Sequence, residues 1–234
     1  TALSLDIESQ SSVDDAVKQL LAASVGHVDV LINNAGFAYK MADTTPFPKQ
    51  AERTMEINYE GTKRVTEAFL PLLRKSTLGG RVVSVSSMTG RLKRGDDKKE
   101  SIYARFTKSD SVADIDLLVQ EFVAAASHGS HRAEGFSGSA YSVSKSAVTH
   151  YSRVQTAKFK DVMFAAVCPG FCRTDMAGGE WKSVMSVVFW AVSWILGQSA
   201  RAGADTPCYM AMCSAQEFEE RAGVLIQDRK VLGF

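Results

Sequence analysis

A chain of 234 residues, 45% hydrophobic and 23% charged, has the balance of an ordinary globular protein and the length for one large domain or two small ones. Its 27 basic and 26 acidic residues leave a net charge of +1 with no basic block and no acidic tail, which excludes a nucleic-acid surface and a disordered acidic interactor. Cys168, Cys172, Cys208 and Cys213 form no Cys-x-x-Cys pair and have no histidine at zinc spacing, so they read as reduced thiols of a cytoplasmic protein without a metal site. In chain order, Leu3–Ile7 reads as a short strand. Ser11 and Ser12 are placed to cap a helix with Asp14 and Asp15 in its first turn, where the helix dipole favours negative charge. Val13, Val17, Leu20 and Leu21 fall on one face of that helix, and Gly26 ends it. Val28–Asn33 is an almost continuously apolar strand, suited to a sheet covered on both faces.

A long helix is expected over about Gln50–Lys75, bent or ended near Pro71. Gly79-Gly80 turns the chain into the β-rich run Arg81–Ser87. From Thr89 to about Ser137 the chain is polar, with an amphipathic helix marked by Ile115, Leu118, Val119, Phe122 and Ala126. A helix from Tyr141 to about Lys160, the strand Val162–Cys168, a helix over Ala200–Ser214 and a last strand Gly223–Gln227 complete the pattern. Strand and helix alternate, which defines an α/β fold with a mostly parallel sheet. Asn34, Ser87, Cys168 and Pro169 then lie together at the carboxyl edge of the sheet, where open α/β sheets bind ligands.

Within Ser139-Ala-Tyr141-Ser-Val-Ser-Lys145, a helix stacks Tyr141 and Lys145 at i and i+4 on one face. An ammonium beside a phenol lowers the phenol's pKa and suits it to proton transfer. The spacing recurs at Tyr59-Glu-Gly-Thr-Lys63, so spacing alone does not choose between the two.

Taken in order, Asn33-Asn34-Ala35-Gly36, Asn58, Ser86-Ser87, Tyr141-x-x-x-Lys145 and Pro169-Gly170 resemble the short-chain dehydrogenase/reductase family over nearly the whole chain. Ala42–Phe47, Gln50-Ala-Glu52, Asn58–Thr62, Cys168-Pro-Gly170 and Arg173–Gly178 resemble in particular its monomeric, NADPH-dependent carbonyl reductases. The resemblance implies a Rossmann-type, doubly wound, three-layer fold in one domain spanning 1–234. It also implies that residues 89–137 are a helical insertion covering the family's oligomerisation surface, hence a monomer. The implied activity is NADPH-dependent reduction of ketones, aldehydes or quinones. In that reading Tyr141 donates the proton, Ser87 holds the carbonyl oxygen, Lys145 tunes Tyr141 and holds the nicotinamide ribose, and Asn58 positions a water. Ser86 is then a neighbour facing elsewhere, and Tyr59/Lys63 is a surface pair of its helix. Cofactor contacts are implied at Asp6, Ile7, Asn34, Ala35, Gly36, Tyr141, Lys145, Pro169, Gly170, Cys172, Arg173 and Thr174. Substrate contacts are implied at Tyr39, Lys40, Met41, Gln50, Ser87, Ala140 and Phe171.

Two departures stand out. The family's opening strand, Gly-rich turn and helix have no counterpart before Asp6, which reads as truncation of a longer enzyme; the competing reading is a non-catalytic interaction module. In addition, residues 181–199 carry an apolar run, Val184–Leu196, too short to span a bilayer. It reads as a lid over a bulky apolar substrate, with a membrane-interface contact, and a lipid or quinone substrate, as the alternative.

Overall fold

The computed structural model describes residues 2–40, 43–91, 101–173 and 197–232. Helix α1 (Gln10–Ala22) leads into β1 (Val30–Asn33), α2 (Phe47–Met55), a π turn (Glu56–Glu60) and α3 (Gly61–Leu73). Strand β2 (Gly80–Val85) is followed by a 3-10 turn (Met88–Arg91), α4 (Ile102–Thr107), α5 (Val112–Ser127) and α6 (Ala140–Lys158). Strand β3 (Val162–Cys168) precedes α7 (Ala200–Gly203), α8 (Asp205–Met212) and α9 (Ala215–Glu219), and the chain closes on the hairpin β4 (Leu225–Gln227) and β5 (Lys230–Leu232).

Among the described residues five strands lie in the order β1-β2-β3-β4-β5, the first four parallel and β5 antiparallel. Alternate residues face opposite sides of a strand, so the Val-rich runs of β2 and β3 feed two cores. Val82 and Phe164 join Val13, Val65, Phe69 and Leu73 from α1 and α3 on one side. Val83, Ala165 and Val167 join Met210, Phe218 and Ile226 on the other, with α8 and α9. This is the expected three-layer α/β arrangement. The parallel register aligns Asn33 with Ser84, Val85 with Val167 and Cys168 with Gln227, so the carboxyl ends of the strands share one edge.

Several boundaries differ from those expected. Leu3–Ile7 forms no strand; Asp6 instead closes a turn, its carboxylate accepting the Glu8 N–H at 3.0 Å. Ser9, rather than Ser11 or Ser12, caps α1 through its hydroxyl, which moves Asp14 and Asp15 beyond the first turn. That helix ends before Gly26: Ser24 takes the left-handed conformation at φ 62°, and Val25 N–H bonds Leu20 C=O across the last turn. Ala200–Ser214 is two helices rather than one.

The long helix is interrupted by the π turn, not at Pro71, which α3 carries inside its run. The turn widens the backbone around Asn58, whose carbonyl accepts the Thr62 hydroxyl at 2.8 Å. Helix α5 follows the expected periodicity: Ile115, Leu118, Val119, Phe122 and Ala126 are all buried. They pack on Ala51, Met55 and Tyr59 from α2 and the π turn, and on Val143, Ala147, Tyr151 and Val154 of α6. Ser111 and Asp114 form a reciprocal capping box at its start.

Here the second Tyr-x-x-x-Lys motif finds its role. Tyr59 is fully buried and donates its hydroxyl to Asp116 of α5 at 2.7 Å. Lys63 reaches the same carboxylate at 2.8 Å and Glu60 at 2.8 Å. Burial and Asp116 hold the Tyr59 phenol far above its ordinary range, so it serves as a fixed donor joining the 89–137 region to the π turn.

Candidate active site

The site is assembled at the carboxyl edge of β1, β2 and β3. Helix α6 starts there, capped by the Ser139 hydroxyl on Ser142 N–H at 3.2 Å. Its first turns carry Tyr141 and Lys145, with the Lys145 ammonium 5.6 Å from the centre of the Tyr141 ring. That nitrogen donates to Val85 C=O at the end of β2 at 2.7 Å. Lys145 is 4% exposed, and burial holds its pKa down at about 8.

The expected lowering of the Tyr141 pKa does not occur in this arrangement. Burial pushes the phenol up, a hydrogen bond with Ser87 acts the other way, and Cys168 and Cys172 add to the rise. The ammonium lies over the ring face as a cation–π contact and spends its short bond on Val85 C=O. Tyr141 is therefore a protonated phenol at neutral pH.

The two serines after β2 separate cleanly. Ser86 is buried and locked beneath α6, its hydroxyl donating to Lys145 C=O at 2.8 Å with Thr149 Oγ1 at 2.7 Å. Ser87 bonds Tyr141 and accepts the Thr89 hydroxyl at 3.0 Å. The 3-10 turn that follows runs against α6. A Cβ on Gly90 would come within 2.7 Å of Ser146 N and 2.9 Å of Lys145 C. Both are backbone atoms that cannot swing aside, so Gly90→Ala is expected to destabilise the fold by about 1–3 kcal/mol. Urea unfolding reads this; an unchanged midpoint would contradict such tight packing of the turn on α6.

Asn58, 1% exposed, forms the back of the site. Its Oδ1 accepts Phe37 N–H at 2.7 Å, and its Nδ2 donates to Phe37 C=O at 2.9 Å and to Ser144 Oγ at 2.9 Å. One amide thus ties the loop after β1 to α6. It also brings Gly36 so close that a Cβ there would meet Lys145 Nζ at 3.3 Å. Asn34, Ala35 and Gly36 follow β1 at this edge, the first two exposed, while the Asn33 side chain donates to Thr66 Oγ1 at 2.9 Å.

After β3, Cys168 is buried and its sulfur accepts the N–H groups of Met88 (3.3 Å) and Gly170 (3.4 Å). Burial raises its pKa, which makes it an inert thiol that pins two loops. Pro169, Gly170, Phe171, Cys172 and Arg173 follow. Gln198, which nothing in the sequence singled out, holds this segment: its side chain donates to Pro169 C=O, and its backbone pairs with Phe171 C=O and Arg173 N–H at 2.8 and 2.9 Å. Asp6 and Ile7 lie beside the amino end of α3, where Ile7 fills the space over Gly61. Thr174, Met41 and the Val184–Leu196 run lie outside the described residues.

A cleft of ≈ 190 Å³ opens beside Tyr141. It brings together Tyr39, Lys40, Gln50 and Ala140 as expected from sequence, and adds Asp43, Phe47, Thr54, Gly138 and Ser139. Phe171 is 40% exposed and is not among the lining residues of this cleft. The additions carry no local signal, because they converge from α2 and from the approach to α6.

A parallel α/β sheet with a serine, tyrosine and lysine converging at its carboxyl edge defines an oxidoreductase-type architecture, and comparison with known proteins agrees. The short chain dehydrogenase family model matches residues 1–98. Carbonyl reductase [NADPH] 1 of Mus musculus is 36% identical over 235 aligned positions, covering 97% of this chain and 77% of that protein. The Homo sapiens protein of the same name is 34% identical over the same shares. Among solved structures, salutaridine reductase from Papaver somniferum superposes with a TM-score of 0.75 at 24% identity, over 96% of this chain and 80% of that one. NADPH-bound carbonyl reductase from chicken fatty liver gives 0.63 at 18% identity, over 100% and 77%. The chain belongs to the short-chain dehydrogenase family.

Proposed function

We propose that this protein reduces the carbonyl group of small molecules to an alcohol with NADPH, in the manner its carbonyl reductase relatives are named for. The observation that carries the reading is the linked set Ser87–Tyr141 and Ser144–Asn58, with Lys145 buried between them, all on one sheet edge. The residues present fit a dinucleotide. A Cβ on Gly36 would meet Lys145 Nζ at 3.3 Å, and the Asn34–Gly36 and Pro169–Arg173 segments follow β1 and β3 at the same sheet edge. Lys145, Asn34, Ala35, Gly36, Pro169, Gly170, Cys172, Arg173 and Thr174 would hold it, with Asp6 and Ile7 on the adenine side. When bound, NADPH supplies the hydride.

The chain's own part is to manage charge on the carbonyl oxygen. Tyr141, kept protonated by its raised pKa, gives that oxygen its proton. Ser87 donates a hydrogen bond to the same oxygen as negative charge develops. Lys145, positive below about pH 8, stabilises the phenolate that remains. Asn58 holds the loop and helix in register. The packing of α5 on α2 and α6 supports a monomer.

The test is oxidation of NADPH by the purified protein on adding a simple aromatic aldehyde or quinone; no consumption with any carbonyl would overturn the reading. A lysine drawn down from 10.5 to about 8 loses its charge earlier as pH rises. The expected profile of kcat/KM is therefore flat at neutral pH and falls as pH passes through about 8. A profile flat to pH 10 would show that the Lys145 charge is not used.

A further inference from the structure

The Pro169–Arg173 segment leaves β3 beside Tyr141, whose phenol feels both Cys168 and Cys172. Beyond the strand it depends on a half-buried side chain 29 positions past Pro169. The Gln198 side-chain amide donates to Pro169 C=O and lies 3.9 Å from Cys172 Sγ. Its backbone forms a parallel bridge with Cys172, accepting Arg173 N–H at 2.9 Å and donating to Phe171 C=O at 2.8 Å. One residue thus bonds Pro169, Phe171 and Arg173.

Two glycines make room for it. Gly170 has φ 74°, and a Cβ on it would come within 2.7 Å of Gln198 Nε2. A Cβ on Gly203, in α7, would strike Cys172 Sγ and come 3.3 Å from Pro169 C=O. Cys172 in turn donates its thiol to Pro169 C=O at 3.3 Å. That oxygen accepts from two side chains, one for each lone pair, which fixes the peptide joining Pro169 to Gly170.

We propose that Gln198 is a positioning residue for the cofactor, holding Pro169–Arg173 in the conformation that receives the nicotinamide half of NADPH beside Tyr141. The inference rests on the NADPH-dependent reading of this site. Binding is to be measured by calorimetry with NADP+ and with adenosine 2′,5′-bisphosphate, which lacks the nicotinamide half. Gln198→Leu is expected to raise the Kd of NADP+ about three- to tenfold, the range one neutral hydrogen bond carries, and to leave that of the bisphosphate unchanged. Gln198→Glu keeps the length, but an ionised carboxylate cannot donate to Pro169 C=O, whereas the neutral acid can. The neighbouring carbonyl favours that neutral acid. The Kd of this variant for NADP+, relative to wild type, is therefore expected to be raised at pH 7.5 and to fall back as pH drops towards 5, a recovery that a purely structural support would not show. Equal NADP+ affinity in wild type and both variants, or an equal loss of both ligands in Gln198→Leu, overturns this inference alone. Failure of wild type to bind NADP+ overturns the NADPH-dependent reading and this inference with it.

Discussion

Tyr141→Phe is expected to slow carbonyl reduction by about 10²–10⁴-fold, the range of a positioned general acid, while NADPH binds nearly as before. The substitution removes one hydroxyl whose bond is to Ser87 and leaves the ring that carries the Lys145 ammonium at 5.6 Å. Single-turnover hydride transfer reads the first effect and fluorescence titration of NADPH the second. Tyr59→Phe is the control. It breaks the Asp116 bond and weakens folding by about 1–3 kcal/mol, yet leaves turnover of the folded fraction intact. If Tyr141→Phe retained turnover, Tyr141 would not be the acid.

Asn58→Leu is expected to cost about 3–6 kcal/mol of stability and to abolish activity in what folds. Leucine matches asparagine in length but offers nothing to Phe37 N–H, Phe37 C=O or Ser144, three partners at 2.7, 2.9 and 2.9 Å in a site sealed from water. Asn58→Asp separates the roles: a carboxylate still accepts Phe37 N–H but cannot donate to Phe37 C=O, so its loss falls between wild type and leucine. Chemical denaturation measures both. A shift in Asn58→Leu no larger than one exposed hydrogen bond would refute the bridging role of this amide.

How much of this was legible in the sequence depends on the range of the forces involved. The Val-rich runs of β2 and β3 and the stripe of α5 were readable because burial on one face leaves a periodic trace. Ser87, Tyr141, Lys145 and Asn58 were readable through order along the chain and strand-end placement. Leu3–Ile7 was misread because a strand exists only beside a partner, and composition does not supply one. The π turn was missed since widening a helix by one residue leaves its apolar pattern almost unchanged. Strand β4 was read, but β5 and the turn into it were missed because that turn places Asp228 and Arg229 at φ 50° and 60°, where Asn-Gly would have been the usual signal. Arg229 is held there by bonds to Asp205, 24 residues away. The sign of the Tyr141 shift was misjudged because helical spacing brings Lys145 near the ring but does not reveal how deeply the phenol is buried, which is the larger effect.

The Tyr59–Asp116–Lys63 junction has a consequence for anyone recombining such proteins. The segment from α4 to the start of α6 looks, on paper, like a detachable accessory that could be swapped between relatives. Its Asp116 is neutralised by Lys63 and hydrogen-bonded by a hydroxyl one residue from Asn58. A graft that imports the segment without Tyr59 and Lys63 strands a carboxylate against the wall of the site. A deletion strands the tyrosine instead. The accessory and the frame are therefore inherited together, as a three-residue unit split across 57 positions of chain.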